Sequence, residues 1–453
     1  MTPPQDAAAT PQRLLDVRHA IAVCVGMVIG AGIFRTSPNV AQNVGSTVPL
    51  FAAWALGGLL SVLGALCFAE MAAAFPHAGG DYSFLARAYG KRLALLFAWS
   101  RFSVIHTGSM ALLAFVFGDY LAQLVSFGPW TSPVFGVVIV ACLIGVNLRG
   151  IHLGVGTQLG LMLLVLFGLS CVVLAGAWQA IHGIAPQTSM SVASATAGHP
   201  SFGTAMVFVL LAYGGWSDAA TLSAEMRDAR RGIVLALVGG MTTVGALYLG
   251  TNWGYVRVLG LDGLAASSAP AADVMRAAFG RPGEILIVAT VAVAAMSVMN
   301  ALLIVGARTT FAAASDLSAL RGLGQWDARR GTPARAMVAM GAVAIALIGL
   351  GSITRGGFAT MVDYLAPVYW FFLSLSSLAV MVLRRRYPLT PRPFRVPGYP
   401  LTPLLFFLSC LYMLYASLIY VQVGALVGVG VLALGGVLLL LQQRPPPAPG
   451  DQA

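Results

Sequence analysis

Apolar residues fall in long blocks along this chain, near 20–38, 48–74, 92–124, 133–147, 156–178, 203–225, 232–256, 283–314, 334–351, 359–383, 401–421 and 424–441. A helix needs roughly 20 mostly apolar residues to cross the hydrocarbon core of a bilayer. The pattern therefore predicts about twelve membrane-spanning helices. The fourth block is short, the eighth is long, and the last two almost touch, which predicts a tight helical hairpin at the end. The longest polar stretches are 179–202 and 257–282 on one side and 315–333 and 384–400 on the other, all expected to be loops. None is long enough for a soluble domain, so the function is expected to sit inside the membrane.

Composition and charge agree. Hydrophobic residues make up 58% of the chain and charged residues 9%. Soluble proteins carry about a quarter charged residues. Lys and Arg gather in alternate loops: Arg13 and Arg18; Arg87, Lys91 and Arg92; Arg149; Arg227, Arg230 and Arg231; Arg321, Arg329, Arg330 and Arg335; Arg384, Arg385, Arg386, Arg392 and Arg395; Arg444. The opposite loops hold only Arg35, Arg257, Arg276, Arg281 and Arg355. The positive-inside rule then puts both termini in the cytoplasm and requires an even number of spans. The net charge of +11 follows from topology and is no sign of a nucleic-acid partner. The lipid bilayer is the expected surroundings. No Asn-x-Ser/Thr acceptor occurs, which is compatible with a bacterial inner membrane. The five cysteines all lie in apolar blocks and read as small buried hydrophobes, not a disulfide or metal set.

The blocks repeat. The first, third and fifth start near 20, 92 and 156, and the sixth, eighth and tenth near 203, 283 and 359. A five-span unit repeated in tandem must reverse its direction, so the two copies are expected to be inverted, with substrate held at the midplane by broken helices. The expected organisation is a 1–19 tail, inverted repeats at 20–178 and 203–384, a hairpin at 401–442 and a 443–453 tail. Both candidate breaks carry paired glycines about eleven residues into their blocks, near mid-membrane: Gly30 and Gly32 in the first, Gly214 and Gly215 in the sixth. Unwound backbone at this depth is tolerated only where it lines a cavity or is buried in protein. A half-helix starting near Gly32 would offer free N–H groups and a positive dipole end to a carboxylate. Free carbonyls at Val28, and at Leu211 and Gly214 in the sixth block, suit an ammonium. The expected binding residues are Val28, Ile29, Gly30, Ala31, Gly32 and Ile33, with Leu211, Ala212, Tyr213 and Gly214. A ligand bearing both poles is an α-amino acid.

The segment Val25-Gly26-Met27-Val28-Ile29-Gly30-Ala31-Gly32-Ile33-Phe34 resembles the first-span signature of the amino acid–polyamine–organocation superfamily. Leu211-Ala212-Tyr213-Gly214-Gly215-Trp216, followed by Glu225-Met226-Arg227-Asp228, is similar to its sixth-span signature, closest to the L-type amino acid transporter branch. Glu70, Pro76, Gly79, Gly80, Asp81 and Tyr82 match an inner-loop motif of the same superfamily. Asn300 to Arg308, with Asp316, Thr332 and Pro333, partly match the eighth span and its loop. Arg392-Pro393-Phe394-Arg395-Val396-Pro397 is similar to the basic loop before span 11. The resemblance implies an all-α fold of the LeuT-like five-plus-five type with two extra helices and alternating access. It puts the carboxylate at Ala31, Gly32 and Ile33, and the ammonium at Val28, Leu211 and Gly214. Three departures bear on this. Ala31 lacks the hydroxyl that relatives often carry there, Leu211 replaces a frequent aromatic gate, and Val165 stands where many relatives have a lysine.

Ionisable groups within spans default to functional hypotheses. Asp218 is read as contacting a substrate amine or carrying a proton, or else Ser217 or Asp218 caps the second half-helix, the cap being slightly favoured. Arg308 is read equally as an inner gate paired with Glu70 or Glu225, or as a snorkelling side chain. Trp216 and Tyr213 line the pocket or simply pack. Arg101 and His106 are read as hydrogen-bonding to neighbouring helices or snorkelling, not as contacting substrate. No acid pair for a cationic side chain is evident, so neutral amino acids are the expected substrates, with cationic amino acids or polyamines as the alternative. No cofactor or metal is expected. The coupling ion, proton or sodium, is left open, as is the oligomeric state. No HExxH, Walker A or selectivity-filter sequence supports an enzyme, a pump or a channel. In a topology assay, a fluorescent protein fused after Ala453 is expected to fluoresce and alkaline phosphatase fused there to be inactive; the reverse would overturn the orientation.

Overall fold

A computed structural model describes residues 21, 24–26, 28–30, 32–77, 80–149, 155–186, 201–219, 229–314, 322–327, 333–354, 356–419 and 423–441. The described chain is helical throughout. In chain order the helices are α1 (Ile33–Val44), α2 (Thr47–Ala74), α3 (Asp81–Tyr89) and α4 (Lys91–Leu121), then α5 (Thr131–Leu148), α6 (Val155–Ile181), α7 (Phe202–Ala212) and α8 (Trp216–Ala219). There follow α9 (Ala229–Ala266), α10 (Pro270–Ala314), α11 (Ala334–Ile353), α12 (Gly357–Arg386), α13 (Leu401–Ile419) and α14 (Val423–Leu441). Nine of the described helices are long and apolar enough to cross a membrane. Their outward faces expose large aliphatic side chains such as Leu59, Leu163 and Leu174. That much apolar surface has no place in water, and the protein is a multi-pass membrane protein.

Two expectations about loops are corrected. The stretch 257–282 is helical: α9 runs on to Ala266 and α10 begins at Pro270, each kinked at one glycine, Gly260 and Gly280. The segment is rich in Ala and Leu, which favour helix. Its charges are paired locally, Ser267 donating to Asp273 at 2.5 Å and Arg276 bonding both Asp273 and Glu284. The stretch between the second and third blocks also contains a helix, α3.

Small residues set how closely the helices approach. A Cβ on Gly64 of α2 would overlap Trp216 and the Phe406 ring of α13, and one on Gly57 would overlap Val209 of α7. Without a hydrophobic drive between helices in lipid, such close packing supplies much of the association.

Charge supplies the rest at one end of the bundle. Glu70, 2% exposed near the end of α2, accepts from Arg384 Nε at 2.7 Å and from its Nη2 at 2.6 Å. The backbone N–H of Val396 donates to the same carboxylate at 2.7 Å, and Arg392 lies 3.5 Å away. The carboxylate thus ties α2 to the end of α12 and to the loop that follows. Its acceptor sites are filled, so the expected gate pair between Glu70 and Arg308 does not form; Arg308 is exposed on α10. Glu225 lies outside the described residues. Replacing Glu70 with alanine leaves buried guanidinium groups uncompensated and is expected to destabilise the fold by about 3–5 kcal/mol. The readout is the thermal unfolding midpoint of detergent-purified protein, and an unchanged midpoint would show that the carboxylate stabilises nothing.

Candidate functional site

The helix of the first block ends at Val28. Ile29 N still donates to Val25 O at 2.8 Å, but Gly30 N turns back to Val28 O at 2.8 Å, and regular helix resumes at Ile33. Gly32 is the N-cap of α1 and no side chain caps it. The first N–H groups of a helix have no partner within it, so this end is open to an acceptor from outside. Ala31 lies outside the described residues. Val28, Ile29 and Ile33 are buried.

The sixth block breaks in the same manner. α7 ends at Ala212, Gly214 N bonds Leu211 O at 3.0 Å, and α8 starts at Trp216. Gly215 has φ of 100°, a conformation side chains disfavour. A Cβ on Gly214 would sit 2.9 Å from the Leu211 carbonyl. Both glycines are therefore set by the backbone path.

The two breaks meet. A Cβ on Gly32 would lie 4.0 Å from Ala212 Cα. The Tyr248 hydroxyl on α9 donates to Val28 O at 3.2 Å and to Ala212 O at 3.1 Å, bridging carbonyls released by the two unwound segments. Tyr248 is fully buried against Trp54 and Tyr213. Nothing in the motif reading pointed to it. A tyrosine set between Leu247 and Leu249 in an apolar block was the available signal, because a buried hydroxyl needs a partner.

The predicted side chains divide. Tyr213 points to α2 and donates to Trp54 O at 3.0 Å. Trp216 is 2% exposed, edge-on to Phe68 and Phe406. It packs α8 against α2 and α13 and does not reach the cavity beside the break. Leu211 is half-buried. Val165 is buried on α6, where Met162 comes within 3.3 Å of a Cβ placed on Gly26. Apolar packing there replaces the amine that many relatives carry.

Asp218 is not the helix cap. It lies within the first turn of α8, and Arg101 Nη2 donates to its Oδ1 at 2.6 Å. Arg101 opens a π-helical turn, Arg101–Ile105, inside α4. Such wide turns recur at functional sites, and this one brings Arg101 and His106 toward one side. Arg101 Nη2 lies 2.8 Å from His106 Nε2, and its Nε donates to the same atom at 3.2 Å. Tyr364 of α12 donates to Ser103 O at 2.6 Å within the turn. Asp81, Arg101, Ser217, Asp218 and Tyr369 line a cavity whose remaining walls include Phe97 and Phe372. Tyr369 joins this cavity to the break, its hydroxyl oxygen lying 3.5 Å from a Cβ placed on Gly214.

In the first turn of α1, Arg35 Nε donates to Asp119 of α4 at 3.0 Å and stacks over Phe358, 5.5 Å from the ring centre. Phe358 in turn stacks on Phe208 of α7. Among the described residues no group of three or more His, Cys, Asp or Glu is placed to hold a metal ion.

Residues 15–440 match the profile of the family described as Amino acid permease. Human b(0,+)-type amino acid transporter 1 is 28% identical, over 90% of this chain and 83% of its own. The serine/threonine exchanger SteT of Bacillus subtilis is 26% identical, over 89% and 91%. Mouse Asc-type amino acid transporter 1 is 26% identical, over 92% and 78%. The chain belongs to the amino acid permease family of the amino acid–polyamine–organocation superfamily, whose members are transporters and not enzymes.

The Gly215→Ala variant is expected to lose about 1–2 kcal/mol, the cost of forcing a side chain into left-handed backbone. Gly239→Ala on α9, where a Cβ meets open space, is the control and is expected to be neutral. Equal unfolding midpoints for the two would argue that the break relaxes without strain.

Proposed function

We propose that this member of the amino acid permease family is a secondary transporter that carries neutral α-amino acids by alternating access. The observation that carries the reading is the meeting of two broken helices, with Gly32 beside Ala212 and one tyrosine hydroxyl shared between Val28 O and Ala212 O. The uncapped N-terminus of α1 offers N–H groups to the substrate carboxylate. Unwound carbonyls on the facing side, with Leu211 and Gly214 as contributors, accept from its ammonium; Val28 O, the third expected contributor, already accepts from Gly30 N and from Tyr248. The two poles of an amino acid then complete the backbone hydrogen bonding that the breaks leave open.

The same reading includes twelve spans in a five-plus-five inverted repeat. In support, nine full helices are joined by the shorter apolar Gly424–Leu440 and by two broken spans, one at the start of each expected repeat. It includes cytoplasmic termini, which the alternation of basic loops supports. Neutral cargo is favoured because Asp218, the acid nearest the break, is held by Arg101. The name of one relative, the serine/threonine exchanger, agrees, serine and threonine being neutral amino acids. That same name supports exchange as one operating mode.

Radiolabelled uptake in proteoliposomes, with a panel of amino acids, tests the cargo. Neutral amino acids are expected to be carried, and transport of arginine, glutamate or a polyamine alone would overturn it. Gly32→Val is expected to insert normally and to abolish uptake, because its methyl groups crowd Ala212 and the carboxylate position. Near-normal uptake by that variant would reduce the first break to a packing feature.

A further inference from the structure

We propose that Asp81 is a proton-binding group that couples this transporter to a proton gradient. The inference rests on the transporter reading above and adds the driving ion.

Charge in the cavity is unbalanced. Two carboxylates, Asp81 and Asp218, face one guanidinium, Arg101. Arg101 is committed to Asp218 at 2.6 Å and to His106 Nε2. Asp81 is 7% exposed, and its Oδ1 has no hydrogen-bond partner. A buried carboxylate with an orphaned oxygen is costly to keep ionised, and taking up a proton removes that cost. Burial is the largest influence on Asp81 and raises its carboxyl to about 8; Arg101 opposes the rise and Asp218 adds to it. The acid sits on α3, between two spans, where it starts the helix immediately after Gly80.

The other groups facing Asp81 are poorer carriers. His106 on α4 accepts from Arg101 at Nε2, so protonation there would break those bonds. Asp218 on α8 is already neutralised by Arg101. Tyr369 on α12 is a phenol. A bare hard cation would need a shell of oxygen ligands. The Phe97, Ile105, Phe372 and Leu373 side chains that complete the walls supply none.

The placement supplies the coupling. Asp218 follows the sixth-block break by a single turn, and Tyr369 reaches from the cavity to Gly214. Ionised Asp81 competes with Asp218 for Arg101, and protonated Asp81 leaves Asp218 its partner. The bound state of the proton is thereby felt at the half-helix that adjoins the substrate. The step is a carboxylate taking one proton from water on one face of the membrane and releasing it to water on the other.

Full-length protein in liposomes loaded with pyranine, a pH-sensitive dye, tests this with L-serine, L-threonine and L-leucine as probes. Radiolabel exchange is measured first. If the wild type exchanges none of a full amino acid panel, the transporter reading fails. If it exchanges without acidifying the lumen during net uptake, only the present inference is overturned. The expected result is wild-type acidification that Asp81→Asn abolishes and Asp81→Glu retains. Asp363→Asn, a partly buried acid of α12 outside the cavity, is expected to leave acidification unchanged. Net uptake should fall about tenfold for each pH unit above the carboxyl value of about 8. Acidification persisting in Asp81→Asn, or uptake driven by a sodium gradient alone, would overturn the assignment. Should Asp81→Asn fail to purify as a monodisperse protein, the pH profile of acidification in Asp81→Glu decides: a profile displaced from that of the wild type is expected, and an identical one would overturn the assignment.

Discussion

Every backbone polar group inside a bilayer must find its partner within the protein, and the centre of this molecule is built around a local failure to do so. Two spans stop being helical partway along their apolar blocks. Each break releases carbonyls and N–H groups that an unbroken helix would have used. One tyrosine hydroxyl answers two of these carbonyls, Val28 O and Ala212 O, and so joins the two breaks. The remaining demand is what a zwitterion can meet. The site and the instability of the unwound backbone are two views of one arrangement.

Charge inside the bundle follows a similar logic. Glu70 satisfies its carboxylate with Arg384, Arg392 and the Val396 N–H, and links helices distant in sequence. Arg101 and Asp218 pair across two helices beside the break. In the first turn of α1, Arg35 pairs with Asp119 while Phe358, under the guanidinium, stacks on Phe208. Where such a pair is buried, as at Glu70, it contributes little net stability, but losing one partner is costly. These pairs fix which helices remain together. The cavity holding Asp81 is where this pairing is left incomplete, next to the half-helix that adjoins the proposed substrate site.

The class of protein and the positions of both breaks were legible in the chain, because apolar run length and glycine placement are local properties. Less local features were not. The stretch 257–282 looked like loop because its charges suggested exposure, yet those charges pair with each other and the helices run on. Asp218 looked like a cap because it follows a glycine pair; its partner stands 117 residues away, and a π-turn aims that partner at it. Trp216 sits in a signature motif, but the direction of its side chain depends on the neighbours of α8, and those are Phe68 and Phe406.

The matched glycines of the first and sixth blocks were therefore determined by sequence alone: Gly215 needs left-handed backbone, and Gly214 admits no Cβ beside Leu211 O, constraints written within a few residues. The ligand poles follow from them, since a broken helix has one positive and one negative end wherever it lies. Only the tertiary structure decided that the two breaks touch, that Tyr248 bridges them and that Asp81 shares a cavity with Arg101 and Asp218. Those contacts join residues far apart in the chain. They depend on how the helices pack against one another, which no local pattern specifies.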